Sequence, residues 1–187
     1  MLQLESWWRA DPLTPAEAGL LNALYSAHTE SSYRPSASSV AVANAAAGSG
    51  QIDRAIMAGI LALGGKHAPL EETYNFLKLE NPEEEVAPML KRGEKVPGWG
   101  GTFQKDQPDP LWEGVAAGLR NWPAMWDRIF EVTDELASHG KNIFPNPSAY
   151  TAAVGLVLRI HPKLLVYIFI RARLDAWARI AASQIGG

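Results

Sequence analysis

The chain contains no cysteine. Disulfides, thiolate nucleophiles and cysteine-ligated zinc are therefore excluded. Charge of one sign is also missing: 17 Lys and Arg stand against 20 Asp and Glu, a formal net charge of -3. Neither a basic field for nucleic acid nor a polybasic membrane surface is expected from that balance. No apolar run reaches the roughly 18 residues of a transmembrane helix. Residues 1–9 lack a basic stretch followed by an apolar one, so no signal peptide is expected. A cytoplasmic location fits a chain that needs no covalent staples. The four histidines show no H-x-x-x-H spacing, and no metal centre is expected. Alternating apolar and polar runs are absent too, which argues against strands. What remains is 187 residues, 47% hydrophobic and 20% charged. That suffices for one good-sized core, or a core with a lobe, and not for two large independent domains.

The chain reads as helices punctuated by proline and glycine, and the expected fold class is all-α with eight or nine helices. Thr14, Pro15 and Glu17 form the start signal of a first helix: an N-cap, a proline at the first helical position and a glutamate at the third. Leu20, Leu21, Leu24 and Tyr25 make its apolar face. It should fade before Pro35, because the residue before a proline avoids helical geometry. A second helix over 38–47 is built almost wholly of Ala, Ser and Val, which lets another helix approach closely. A third, over 53–63, sets Ile56, Ile60 and Leu63 in register, and Gly64-Gly65 ends it. A fourth covers 70–79, with Leu70, Tyr74 and Leu77 on one side. Asn81-Pro82 followed by three glutamates reads as an N-cap and an acidic first turn leading into a short helix. Two helices broken near Asn121-Trp122-Pro123 are expected over 111–138, and two more over 148–160 and 162–182.

Few residues advertise chemistry by themselves. His67 follows Gly-Gly and precedes a helix, where backbone dipoles keep an imidazole neutral. It reads either as a turn-capping group or as a donor to a carbonyl oxygen that becomes an enolate. The glycine loop over 96–101 lacks the trailing Gly-Lys-Ser or preceding strand of a phosphate cradle. Glu71, Glu72, Asp106 and Asp109 are carboxylates with no partner at a defined spacing. His139 and His161 read as structural.

Five segments taken in order carry more. They are Ser26-Ala27-His28-Thr29-Glu30-Ser31-Ser32, Ala62-Leu63-Gly64-Gly65-Lys66-His67, Val96-Pro97-Gly98-Trp99-Gly100-Gly101, Phe144-Pro145-Asn146-Pro147-Ser148-Ala149-Tyr150, and Ile170-Arg171-Ala172-Arg173-Leu174-Asp175-Ala176-Trp177. Together they resemble the C-terminal half of the citrate synthase superfamily, which includes methylcitrate synthases and citryl-CoA lyases. The resemblance implies that His67 matches the histidine that hydrogen-bonds the acetyl carbonyl of acetyl-CoA. It makes His28 a substrate-binding histidine and Arg173 a carboxylate-binding arginine. It also implies a helical body over 1–69 and 140–187 with a small helical lobe over 70–139. Dimerisation through the first two helices follows from the same likeness.

The departures fall on the catalytic groups. Gly101 stands where the family has the histidine that polarises the keto acid. Ser148 stands where it has the aspartate that removes the methyl proton, and Leu111 where an arginine follows Asp-Pro. A serine hydroxyl is no base near neutral pH without an activating partner. The expected function is thus a catalytically degenerate, citrate-synthase-like protein, a pseudoenzyme acting as a binding, assembly or partner-subunit module. Its site is expected to hold His28, His67 and Arg173, bordered by Gly101 and Ser148. The alternative is an active acyl-CoA-dependent acyltransferase or lyase that reassigns groups such as His67, Glu71 or Asp106. No cofactor is expected, although acyl-CoA or CoA is a conceivable ligand, as is a carboxylate. The partner is a second copy, giving a homodimer, or a longer relative in a hetero-oligomer.

Overall fold

A computed structural model describes residues 11–63, 69–101 and 107–186. Among them the chain is all-α, with nine helices and no strand. The helices are α1 (Pro15–Ser31), α2 (Ala37–Ser49), α3 (Ile52–Ala62), α4 (Leu70–Leu77), α5 (Val86–Lys91), α6 (Glu113–Leu119), α7 (Pro123–Ser138), α8 (Pro147–Val157) and α9 (Pro162–Ile185). Short 3-10 turns, Pro82–Glu85 and Pro110–Trp112, lead into α5 and α6.

The start signals act as the sequence indicates. Thr14 and Glu17 cap one another reciprocally, Glu17 N–H donating to Thr14 Oγ1 at 3.3 Å and Thr14 N–H to Glu17 Oε2 at 2.8 Å. Ser36 forms a second capping box, with Ser39, at the head of α2. Asn81 behaves differently from expectation. Its side chain makes no cap to the backbone and donates to Glu84 Oε1 at 3.0 Å, so the proline there opens a 3-10 turn.

The chain divides into two compact units, Met1–Leu24 with Pro69–Leu165, and Tyr25–Ala68 with Val166–Gly187. In the first unit α8 is buried along most of its length and packs on α4, so segments from both sides of residue 140 share one core. Trp112 stacks on Tyr150 with ring centroids 5.7 Å apart and planes 4° from parallel. Arg128 of α7 donates to the carbonyls of Leu77 and Leu79 at 2.8 and 2.7 Å, satisfying groups left open at the end of α4.

In the second unit α2 and α3 pair closely, and α3 turns an unexpected face inward. Ala55 and Gly59 are buried, whereas Ile60 is exposed. A Cβ at Gly59 would lie 2.5 Å from Val42 Cγ2 and 3.3 Å from the Trp177 ring. Only a residue without a side chain fits that approach, so the largest residues of α3 are displaced outward. Met57 and Leu61 are 61% and 79% exposed.

Candidate functional site

Two clusters gather the residues that the sequence singles out, one in each unit. The second unit holds His28 and Arg173. His28 lies on the last turns of α1 and is fully buried, its ring edge-on to Phe169 with centroids 4.3 Å apart. Its carbonyl accepts from the hydroxyls of Ser31 at 2.9 Å and Ser32 at 2.7 Å, which close the end of the helix. Thr29 Oγ1 donates to the Ala172 carbonyl at 2.6 Å and ties α1 to α9.

Arg173, on α9, is 5% exposed. Its guanidinium carbon sits 4.2 Å from the centroid of the Phe169 ring, one helical turn earlier. Nη2 donates to Ser31 Oγ at 3.2 Å and Nη1 reaches Ser38 Oγ at 3.4 Å. Nε is buried and has no hydrogen-bond partner among the described residues. Burial lowers the Arg173 pKa to about 10. The group remains a cation at neutral pH. Burial, and then the charge of Arg173, hold His28 well below its ordinary value, so its imidazole is neutral. The guanidinium is thus set, among the described residues, against two hydroxyls and one aromatic face. Such a guanidinium can pair with an anion through donors in a fixed fork.

The first unit brings the other two motif segments together. The loop over 98–101 runs beside 144–146, with one isolated antiparallel bridge between Trp99 and Pro145. Asn146 N–H donates to the Gly98 carbonyl at 2.9 Å, and Gly100 N–H to the Phe144 carbonyl at 3.0 Å. The Asn146 side chain serves both sides. Its Nδ2 donates to the Gly100 carbonyl at 2.8 Å, while its Oδ1 accepts from Ser148 N–H at 2.8 Å and so caps α8. Gly98 has a φ of 89°, and a Cβ there would lie 2.5 Å from Thr73 Cγ2 and 3.2 Å from the Ala149 backbone. The loop therefore requires glycine at 98, which the sequence pattern marks only as a turn.

Ser148 is buried in the first turn of α8, and Gly101 is exposed at the end of the loop. Asp109 caps the turn before α6 by accepting from Leu111 N–H at 3.1 Å. His67 lies outside the described residues, as does Asp106. His139 pairs with Glu135 at 2.9 Å at the end of α7. His161 Nδ1 accepts from Lys163 N–H at 3.3 Å at the head of α9, so both act structurally. No group of three or more His, Cys, Asp or Glu that could hold a metal occurs among the described residues.

Sequence reasoning missed Ser38 and Phe169, and it named Ser31 and Asn146 only as members of motif segments, without their roles. The spacing of Phe169 and Arg173, four residues apart on one helix, was the legible signal for the first cluster. The serines join Arg173 from segments 135 and 142 residues away and leave no local signal.

Three comparisons bear on this geometry. The family model "Citrate synthase, C-terminal domain" matches residues 3–184. No curated protein sequence gives a significant match. Among solved structures, citryl-CoA lyase from Hydrogenobacter thermophilus superposes with a TM-score of 0.83 at 20% identity, over 98% of this chain and 75% of that one. Citrate synthase from Thermotoga maritima gives a TM-score of 0.80 at 20% identity, over 97% of this chain and 52% of that one. ATP citrate lyase from Methanothrix soehngenii, solved with citrate and coenzyme A, gives 0.78 at 14% identity, over 95% and 32%. The chain thus spans three quarters of the first relative, about half of the second and a third of the third. With the profile covering nearly the whole chain and the helical fold matching these structures, the protein belongs to the citrate synthase C-terminal domain family.

Proposed function

We propose that this chain is a binding and assembly module of its family, one that does not make or break a carbon-carbon bond by the family route. The observation that carries the reading is the pair Ser148 and Gly101. By the sequence resemblance they take the places of the proton-abstracting aspartate and the polarising histidine, and Asn146 holds the loop and the helix that carry them. A general base contributes about 10²–10⁴-fold to a rate, and an electrophilic hydrogen-bond donor about 10²–10³-fold. A serine with no base paired to it among the described residues and a glycine with no side chain supply neither. What the chain keeps is the Arg173 cation beside a neutral His28, which suits a carboxylate. That citrate and coenzyme A occupy a related structure supports a carboxylate, with a CoA thioester as a second ligand.

The test is direct. The purified chain is given acetyl-CoA with oxaloacetate, and separately citryl-CoA, and free thiol or product is followed while calorimetry measures carboxylate binding. Binding without turnover is the expected result. Turnover within about a hundredfold of an active family member would overturn it and favour the acyltransferase or lyase reading.

The same reading covers assembly. Val40 on α2 and Ile52, Met57, Ile60 and Leu61 on α3 are exposed, and α2 carries no charged residue. A face so poor in charge suits burial against a like face, and the partner is a second copy of this chain. Sedimentation at micromolar concentration checks it: a folded monomer of 20.3 kDa would end the claim.

A further inference from the structure

Trp122 at the N-cap of α7, then Trp126 and Phe130 along it, follow one another four residues apart. In a helix such residues lie on one face, about 6 Å apart along the axis. The two tryptophans are half-buried, whereas Phe130 is 61% exposed and makes no ring contact among the described residues. Asp127 and Asp134, three residues before Phe130 and four after it, are its neighbours on the helix surface. Both are exposed, and neither joins an ion pair among the described residues. Arg128, on the same helix, is tied to the carbonyls of Leu77 and Leu79. The neighbouring ring shows what such a face accepts: the Arg120 guanidinium carbon lies 5.2 Å from the centroid of the Trp126 ring. We infer that Phe130, with Asp127 and Asp134, is a docking point for an arginine side chain carried by an extended segment of a partner protein.

Charge and shape together choose the occupant. The face of a phenyl ring is negative and attracts a cation, most often a guanidinium, which lies flat on the ring while its edge stays free to donate to a carboxylate. Phe130 offers the face, and Asp127 and Asp134 offer the carboxylates beside it. An anionic partner would meet those two charges first and be repelled. A wholly apolar partner would cover both carboxylates without pairing them, which is costly. In an extended strand, alternate side chains leave the same face about 6.6–6.8 Å apart, close to the step from Phe130 to Trp126. A segment that sets its arginine on Phe130 therefore brings the residue two places along to Trp126. The contact is small, since one aromatic side chain buries about 150–250 Å², and a stable interface needs about 1,200 Å² or more. Its affinity alone is low, and what it supplies is choice of partner.

The full chain, isotope-labelled, would be titrated at fixed ionic strength with three peptides of equal length in which threonine alternates with arginine, lysine or glutamate. Amide shifts along α7, followed by NMR, give the dissociation constants. The arginine peptide should bind at least about twofold more tightly than the lysine peptide, and the glutamate peptide should not bind. Phe130→Leu keeps apolar bulk and removes the ring, and should weaken the arginine peptide by about two- to fivefold, the range of an exposed cation–π contact. Asp127→Asn combined with Asp134→Asn should weaken it by a similar factor and flatten its dependence on salt. The ranking of the three peptides on the wild-type chain stands without any variant. Arginine and lysine peptides that bind equally, or a Phe130→Leu chain that binds as the wild type does, would reduce the contact to general attraction between charges and overturn the proposal. Self-association that Phe130→Leu abolishes, with no peptide shift along α7, would give the stripe to a second copy of the chain and overturn it as well.

Discussion

Gly59 offers a quantitative test of the packing in the second unit. In an isolated helix Gly→Ala is favourable by roughly 0.5–1 kcal/mol, because glycine loses more backbone freedom on folding. Here the new methyl would sit 2.5 Å from Val42 Cγ2. Carbon atoms prefer about 3.5–4.0 Å, so something must move by roughly 1 Å. Val42 is fully buried, and its branched Cβ has one strongly preferred rotamer in a helix. On the other side the Trp177 ring stands 3.3 Å away and is also fully buried. Overpacking of this kind costs about 1–3 kcal/mol, so Gly59→Ala should destabilise by a net 1–2 kcal/mol or so. Val42→Ala alone should cost about 2 kcal/mol for two buried methyls and the space they leave. Combined, the two changes should cost about 1 kcal/mol, since the new methyl fills the vacated space. The coupling of about 2 kcal/mol is read from urea denaturation of the wild type, both single variants and the double variant. A Gly59→Ala protein more stable than wild type, or single effects that simply add, would refute the close approach of α2 and α3.

Three further outcomes follow from named contacts. Asn146→Ala should cost about 2 kcal/mol, as it loses both the α8 cap and the tie to Gly100, while Asn146→Asp keeps the cap and should cost about half as much; urea midpoints rank them. The folded-state pKa of His28 lies below its unfolded value near 6.5, so the unfolded chain takes up a proton that the folded chain refuses, and stability falls as pH drops below about 6.5, by up to about 1.4 kcal/mol per pH unit. His28→Gln should lose that part of the slope, and identical slopes in the two proteins would remove the buried neutral histidine from the account. Arg159 ends α8 with a φ of 57°, while the next N–H, that of Ile160, bonds back to the Gly155 carbonyl at 2.8 Å. Arg159→Gly should raise the thermal midpoint, by about 0.5–1 kcal/mol in stability, and a fall would contradict the assigned helix end.

Local signals in the sequence locate the helices well, because capping and proline rules act over three or four residues. Thr14 with Glu17 and the proline at the head of α7 sit where those rules put them. The inward face of α3 was not legible in the same way. Counting large apolar residues selects Ile56, Ile60 and Leu63; Leu63 is buried as expected, but Ile60 is exposed, because contact with α2 is so close that the smallest residues, Ala55 and Gly59, take the buried positions beside it. Hydrophobic periodicity assumes that bulk seeks the core, and it fails where two backbones nearly touch. The site shows a similar split. His28 and Arg173 could be named only through the order of motifs along the chain, since no spacing rule links α1 to α9. The serines that hold the guanidinium carry no periodicity at all.

The loop over 98–101 has a consequence for how this protein can change. Gly98 is fixed twice, by its positive φ and by the Thr73 and Ala149 atoms against it. Gly101, three residues on, is fixed by neither: its backbone is not left-handed, and a Cβ built there meets nothing within 4 Å among the described residues. The frame that presents positions 101 and 148 is thus held by Asn146 and by main-chain hydrogen bonds, with no contribution from a side chain at 101. Substitution at 101 is nearly free of folding cost in either direction, whereas substitution at 98 or 146 is not. A lineage on this scaffold can lose a reactive group at that corner, and regain one, through single replacements that the fold scarcely registers.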